Sequence, residues 1–392
     1  MGYIRPSSRL EAIPPYLFSE LDARRDQVSK MGMDIIDLGV GDPDLPAPKA
    51  VAEAAAKAVL DPASHSYPPY EGTSDLKKAI ARYYKERFNV ILDPDAEVLV
   101  LGGSKEGIAH LATALVDHDD VVLVPDPAYP VYEVWAKFCG GRVVHMPLLE
   151  KNGFFPDLSL LDKETCSKAK LLWLCYPNNP TTATASAADF KEALDFASRH
   201  NLVAANDNAY AEIQFKHSPT SILSLPDAKE NAIEFGSFSK TFDMCGFRLG
   251  WAVGNHEVLD ALKAVKKNTD SGVFTAVQEA GRIALEEHMD FANSLRVTYK
   301  ERRDAIITEI AQAGLDFRIP DATFFIWIRV PAGMSSSEFS LRLLEETGVV
   351  VTPGNGFGPY GEGFFRISLT RDKKRLAEAG RKIRGFVRKI TN

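Results

Sequence analysis

Between residues 98 and 253, apolar runs of strand length alternate with helix-length amphipathic stretches, and few folds satisfy that rhythm. Strands are expected at Val98–Leu101, Val121–Val124, Arg142–Met146, Leu171–Cys175, Leu202–Ala205, Ala232–Phe235 and Leu249–Val253. Helices are expected at Lys105–Val116, Tyr129–Phe138 and Ala187–His200. Strands that are apolar throughout, separated by helices, imply a mostly parallel sheet covered on both faces. Leu249–Val253 follows its neighbour too closely for a helical crossover, so it is expected to run antiparallel. No G-x-G-x-x-G follows a strand and no G-x-x-x-x-G-K-[ST] occurs, which removes the dinucleotide-binding and P-loop readings.

Beyond residue 255 the rhythm changes. Long helices at His256–Lys267, Thr275–Glu287 and Met289–Ala313 precede strand-like Phe324–Arg329, a helix at Ser336–Glu346, short strands at Val349–Thr352 and Phe364–Leu369, and a basic helix from Asp372. That reads as a second, smaller α+β domain. The first 45 residues, with Pro14-Pro15, a helix-like Ser19–Lys30 and the strand-and-glycine turn Ile35–Pro43, read as an arm that joins it. The resulting division is 1–45, 46–287 and 288–392. A length of 392 residues suits one large and one small domain.

Charge narrows the partners. With 46 Lys+Arg against 53 Asp+Glu the chain is acidic, which argues against a nucleic-acid footprint. Its longest apolar runs are too short for a transmembrane helix, and no apolar stretch follows Arg5 and Arg9 to make a signal peptide. Four cysteines without a C-x-x-C pair suit a reducing, cytoplasmic setting. The eight histidines are scattered without ligand spacing, so no metal site is expected.

In open α/β sheets, ligands bind beyond the carboxyl ends of the strands. There the chain places Gly103-Ser104-Lys105 at a helix start, then Tyr129, Asn178-Asn179-Pro180, Asp207 with Tyr210, Ser237-Phe238-Ser239-Lys240, and Arg248. Taken singly, each has a bland reading: a cap, a turn, a solvated lysine, an aromatic at the core edge. As an ordered set they suit a phosphorylated pyridine aldehyde. Backbone N–H groups at Ser104 and Lys105, with Ser237, Ser239 and Arg248, can hold a dianionic phosphate. Lys240 can form a Schiff base if its amine is neutral. Asp207 can keep a pyridinium nitrogen protonated, Tyr210 and Asn179 can reach a phenolate oxygen, and Tyr129 can stack on the ring.

The stretch Ser237-Phe238-Ser239-Lys240-Thr241-Phe242-Asp243-Met244-Cys245-Gly246-Phe247-Arg248-Leu249-Gly250 resembles the lysine signature of the class I/II, fold-type I aminotransferases. The likeness runs from Leu38-Gly39-Val40-Gly41 to Phe365-Arg366-Ile367-Ser368. It implies an α/β fold with a mostly parallel seven-stranded sheet plus the smaller α+β domain, pyridoxal 5′-phosphate as cofactor, and ping-pong transfer between an amino acid and a 2-oxo acid. Arg366 and the Gly41 N–H would then take the substrate α-carboxylate, with Asn179 beside them. Tyr67 resembles the tyrosine that reaches the partner subunit's phosphate, so a homodimer with shared sites is implied. Gly102–His110, Asp270–Ala280 and Val349–Gly358 look most like LL-diaminopimelate aminotransferases, with alanine and aspartate aminotransferases as the alternative. The sequence departs from the family pattern at Thr182, where Gly is usual, at Asn206 and Asn208 around Asp207, and at Phe247, where Trp is usual.

Rival chemistries fit less well. A β-lyase or decarboxylase on this scaffold would share the cofactor residues but shows no additional acid/base motif. Ser237-x-x-Lys240 also matches a serine acyl-enzyme pattern, but its Ser-Asp-Asn and Lys-Thr-Gly partners are missing. A transaminase-like regulator would carry an added basic DNA-binding module, which is not seen.

Overall fold

The computed structural model describes residues 7–11 and 19–391. Pro14-Pro15 of the expected arm lie outside the described residues. In chain order the strands are β1 (Ile36–Asp37), β2 (Val98–Leu101), β3 (Val121–Asp126), β4 (Arg142–Pro147), β5 (Ala169–Leu174), β6 (Val203–Asp207), β7 (Ala232–Ser237), β8 (Gly250–Gly254), β9 (Phe325–Arg329), β10 (Val349–Val350), β11 (Thr352–Pro353) and β12 (Phe364–Ser368).

Seven of them form one sheet in the order β2-β8-β7-β6-β5-β3-β4. All pairings within it are parallel except the two made by β8, which runs opposite to β2 and to β7. The carboxyl ends of the other six strands therefore share one edge. Both faces are buried: Leu123, Leu172 and Ala204 belong to the core on one side, and Val122, Trp173 and Ala205 to the core on the other. Each fully buried Leu, Ile or Phe adds about 1.5–3 kcal/mol of burial energy, and the apolar strands owe their fit to this double cover.

A third core gathers around the antiparallel sheet β11-β12-β9. Helices Met289–Ile310 and Lys373–Thr391 pack on each other beside it. The Ile36–Leu38 segment joins this core, because β1 pairs in parallel with β10. The antiparallel ladder holds β9 against β12 so that Arg366 stands opposite Trp327.

Two differences from the sequence reading bear on function. Strands β6 and β7 run two residues further than expected, so Asp207 and Ser237 are the last strand residues rather than loop residues. The ladder pairs Asp207 with Phe235 and Ser237 with Gly250, which fixes the backbone from which both side chains project. Helices Lys49–Val59 and Ser74–Phe88, not anticipated, pack on the helix Thr275–Glu287. Among the described residues no helix is long and apolar enough to cross a membrane.

Candidate active site

A cavity of about 860 Å³ opens at the shared carboxyl edge of the sheet. It brings together twelve of the residues singled out in the sequence: Gly41, Ser104, Lys105, Tyr129, Asn179, Asp207, Tyr210, Ser237, Ser239, Lys240, Arg248 and Arg366. Tyr67 is not among its lining residues; it stands 94% exposed on the surface.

Lys240 belongs to a one-turn helix, Phe238–Thr241, that follows β7 directly. Ser237 starts that turn by accepting a hydrogen bond from the Ser239 N–H at 3.2 Å. The Lys240 ammonium donates to the Gly41 carbonyl at 3.1 Å and lies 3.9 Å from Cys245 Sγ. Burial lowers its pKa from the ordinary lysine range, with nearby Cys245 and Asp42 opposing the shift. Desolvation disfavours the charged form, so the amine is primed for nucleophilic use.

Asp207 lies in the cavity floor. Its carboxylate accepts a hydrogen bond at Oδ2 from the Tyr132 phenol at 2.8 Å, while the buried Oδ1 makes none. Burial pushes its pKa up to about 6, and the Tyr132 hydrogen bond pulls the other way. Tyr132 in turn stacks on Trp173, the ring centres 4.8 Å apart and the planes 19° from parallel. Sequence reasoning missed Tyr132, which sits inside the helix Val131–Phe138 rather than at a strand end. Behind Asp207, Asn206 donates to the buried Glu234 at 3.0 Å, and Asn208 donates to the Thr220 carbonyl at 2.9 Å. These two departures from the family pattern thus serve the scaffold rather than the cavity.

Opposite, Arg366 is buried. Its guanidinium donates to Asn179 Oδ1 at 2.7 Å and to the Gly39 carbonyl at 2.9 Å, leaving Nε without a partner. The group lies 4.1 Å from the centre of the Phe325 ring and 4.7 Å from that of Phe357. Desolvation lowers its pKa to about 10. A buried, incompletely satisfied guanidinium facing a cavity is a carboxylate receptor in waiting.

At the third wall, Gly103 (φ +96°) ends the turn before the twelve-residue helix Ser104–Leu115. The first two residues of that helix, Ser104 and Lys105, line the cavity, and N–H groups in a helix's first turn lack partners within the helix. The φ of +96° at Gly103 suits glycine, and a Cβ there would lie 2.5 Å from Arg248 Nη2 and push the guanidinium off the turn. Arg248 also donates to the Cys245 carbonyl at 2.9 Å and approaches Ser239 Oγ at 3.5 Å. In the turn that follows β5, Thr182 adopts φ +66°, so that turn accepts the strain that a glycine would avoid. Phe247 is partly buried and packs against the first sheet core.

The donor set suits a phosphorylated pyridine aldehyde. The Asp207 carboxylate has an unused buried oxygen for a ring N–H, Lys240 supplies the amine, and the glycine turn with Arg248 supplies an anion cradle.

Comparison with known proteins agrees over nearly the whole chain. Residues 33–383 match the family model described as Aminotransferase class I and II. An LL-diaminopimelate aminotransferase of Aquifex aeolicus is 50% identical over 381 residues, 97% of this chain and 98% of that protein. Among solved structures, apo-BacF from Bacillus subtilis superposes with a TM-score of 0.94 at 38% identity, covering 98% of each chain. A probable N-succinyldiaminopimelate aminotransferase from Thermus thermophilus gives a TM-score of 0.90 at 38% identity, covering 94% of this chain and 99% of that one. Sheet, site and relatives converge: the chain belongs to the class I and II aminotransferases, enzymes dependent on pyridoxal 5′-phosphate.

Proposed function

We propose that this aminotransferase moves an amino group between LL-diaminopimelate and 2-oxoglutarate, in a reversible ping-pong cycle belonging to lysine biosynthesis. The full-length likeness to LL-diaminopimelate aminotransferases supports the donor. The observation that carries the chemistry is the placement of the Lys240 amine and the Asp207 carboxylate in one cavity, with the Arg366 guanidinium completing it.

Pyridoxal 5′-phosphate, when bound, supplies an aldehyde to join the amine and a cationic ring that withdraws electrons from the substrate's Cα. The residues do the rest. Arg366, with Asn179 and the Gly41 backbone, binds the substrate α-carboxylate and so sets which Cα bond faces the ring. Lys240 would hold the cofactor through its amine, and its Nζ, when free, would take up and return the proton of the substrate Cα. Asp207 holds the ring N–H, and Tyr132 keeps Asp207 aimed. Tyr210 and Asn179 orient the ring oxygen, and Tyr129 covers the ring face. The Ser104 and Lys105 N–H groups, with Ser237, Ser239 and Arg248, bind the phosphate.

In this reading the enzyme is a cytoplasmic homodimer, and the exposed Tyr67 completes the partner subunit's phosphate site. Residues 46–287 act as the cofactor-binding domain, with 1–45 and 288–392 as the smaller one.

Borohydride reduction of the yellow protein should fix the cofactor on Lys240, and Lys240→Ala should abolish turnover; transamination by that variant at the wild-type rate would overturn the mechanism. A panel of amino donors read by glutamate formation decides the substrate. Absence of transfer from LL-diaminopimelate, with alanine or aspartate active, would replace the donor and leave the mechanism standing.

A further inference from the structure

Behind the glycine turn lies a charged cluster that does not line the cavity. Glu106 reaches back along its helix so that Oε2 accepts the Gly102 N–H at 2.6 Å. Its other oxygen accepts from the Lys266 ammonium at 2.7 Å, and that ammonium also donates to Asp270 Oδ1 at 2.9 Å. Lys266 is 1% exposed. His110 flanks the pair, with Nε2 3.4 Å from Asp270 Oδ2. The side-chain N and O atoms of Glu106, His110 and Asp270 lie within 4.8 Å of one another. Lys266 supplies the cation among them.

The placement is specific. A Cβ on Gly102 would meet Glu106 Oε2 at 2.3 Å, and a Cβ on Gly103 would meet Arg248 Nη2 at 2.5 Å. The turn is thus clamped on one side by Glu106 and on the other by Arg248. A buried lysine needs its two carboxylates, since an uncompensated charge there is costly. With Lys266 held, Glu106 is not free to swing from Gly102.

We propose that Glu106, Lys266 and Asp270 are positioning residues for cofactor phosphate: they fix the Gly102–Ser104 turn so that the N–H groups at the start of the following helix converge on the anion. This rests on the reading that pyridoxal 5′-phosphate binds with its phosphate at that turn.

The test uses apoprotein titrated separately with pyridoxal 5′-phosphate and with pyridoxal, read by the absorbance of the lysine adduct, after each variant's melting temperature has been measured. Glu106→Ala should weaken pyridoxal 5′-phosphate binding by roughly ten- to a hundredfold, the size expected when a buried hydrogen-bonded group loses its partner. Pyridoxal, which lacks the phosphate, should bind within about twofold of wild type, since the Lys240 adduct is untouched. Glu106→Gln, which keeps an acceptor for the Gly102 N–H but turns an amide donor toward the Lys266 ammonium, should recover only part of the loss. If Glu106→Ala does not fold, Lys266→Met must show the same phosphate-selective loss. Equal weakening of both ligands, or unchanged affinity in folded variants, would overturn the proposal. Wild-type protein that binds pyridoxal 5′-phosphate no better than pyridoxal would instead overturn the reading on which it rests.

Discussion

The Tyr132 phenol donates to Asp207 Oδ2 at 2.8 Å, across 75 residues of sequence, while Trp173 stacks on the same tyrosine ring. One oxygen of the carboxylate is therefore committed to the protein and the other is left for a ligand. Tyr132→Phe removes only the hydroxyl and keeps the stack. It should leave the melting temperature nearly unchanged and lower kcat by about tenfold, the effect of losing one hydrogen bond to a charged group, about 1.4 kcal/mol. Steady-state kinetics beside a thermal melt checks it; an unchanged kcat would mean that Tyr132 does not orient Asp207.

Asp207 gives a pH signature. Burial raises its folded pKa from an ordinary 3.8 to about 6. In apoprotein the folded carboxyl therefore holds its proton more tightly than the unfolded one. Its contribution to stability is present below about pH 4, declines as pH rises through about 6, and stays lost above that. Asp207→Asn removes this slope, so the apo variant should exceed apo wild type by up to roughly 3 kcal/mol at pH 7 and by little at pH 4. The same variant should lose most turnover, because a neutral amide does not hold a cationic ring. Urea denaturation of both apoproteins across that range decides; a stability gap that does not change with pH contradicts the assigned environment.

Much of this site was readable because strand ends are punctuated. Asp207, Ser237 and Lys240 each stand just where an apolar run stops, and an apolar run ends where the chain meets solvent or ligand. Tyr132 carried no such mark, since it is one apolar-facing helix residue among others and its partner is set by the stacking of β5 against that helix. Lys266 was equally silent: its partner Glu106 lies 160 residues away, and a lysine in an amphipathic helix ordinarily reads as solvated. The helix Ser74–Phe88 did carry a signal, with Leu76, Ile80, Tyr83 and Tyr84 buried at helical spacing. Its many charges masked that period. Strand boundaries slipped because Asn206 and Asp207 are polar yet buried, so hydrophobicity alone ended β6 too early.

Thr182 holds φ +66° in a buried turn whose N–H donates to the Asn178 carbonyl at 3.0 Å. A β-branched residue there is strained by about 1–3 kcal/mol. Thr182→Gly relieves that strain but gives up some buried side-chain contact and adds chain entropy to the unfolded state. The net expectation is a gain of about 1 kcal/mol, read as a higher urea midpoint with an unchanged denaturant slope. A lower midpoint would show that the threonine's contacts outweigh its strain.

Arg366 should tolerate no substitute, lysine included. Its planar fork spans Asn179 Oδ1 and the Gly39 carbonyl while its face rests 4.1 Å from the centre of the Phe325 ring. An ammonium has neither the fork nor the flat face, so Arg366→Lys leaves Asn179 or Gly39 without a donor and offers a substrate carboxylate one contact in place of two. The expected result is a fall in kcat/KM of about a hundredfold or more, with the larger share in KM, since the carboxylate contact is made in the ground state as well as the transition state. The spectrum of the bound cofactor should move only slightly, through Asn179, whose Oδ1 Arg366 holds. A strongly shifted spectrum with an unaltered KM would transfer Arg366 from the substrate to the cofactor.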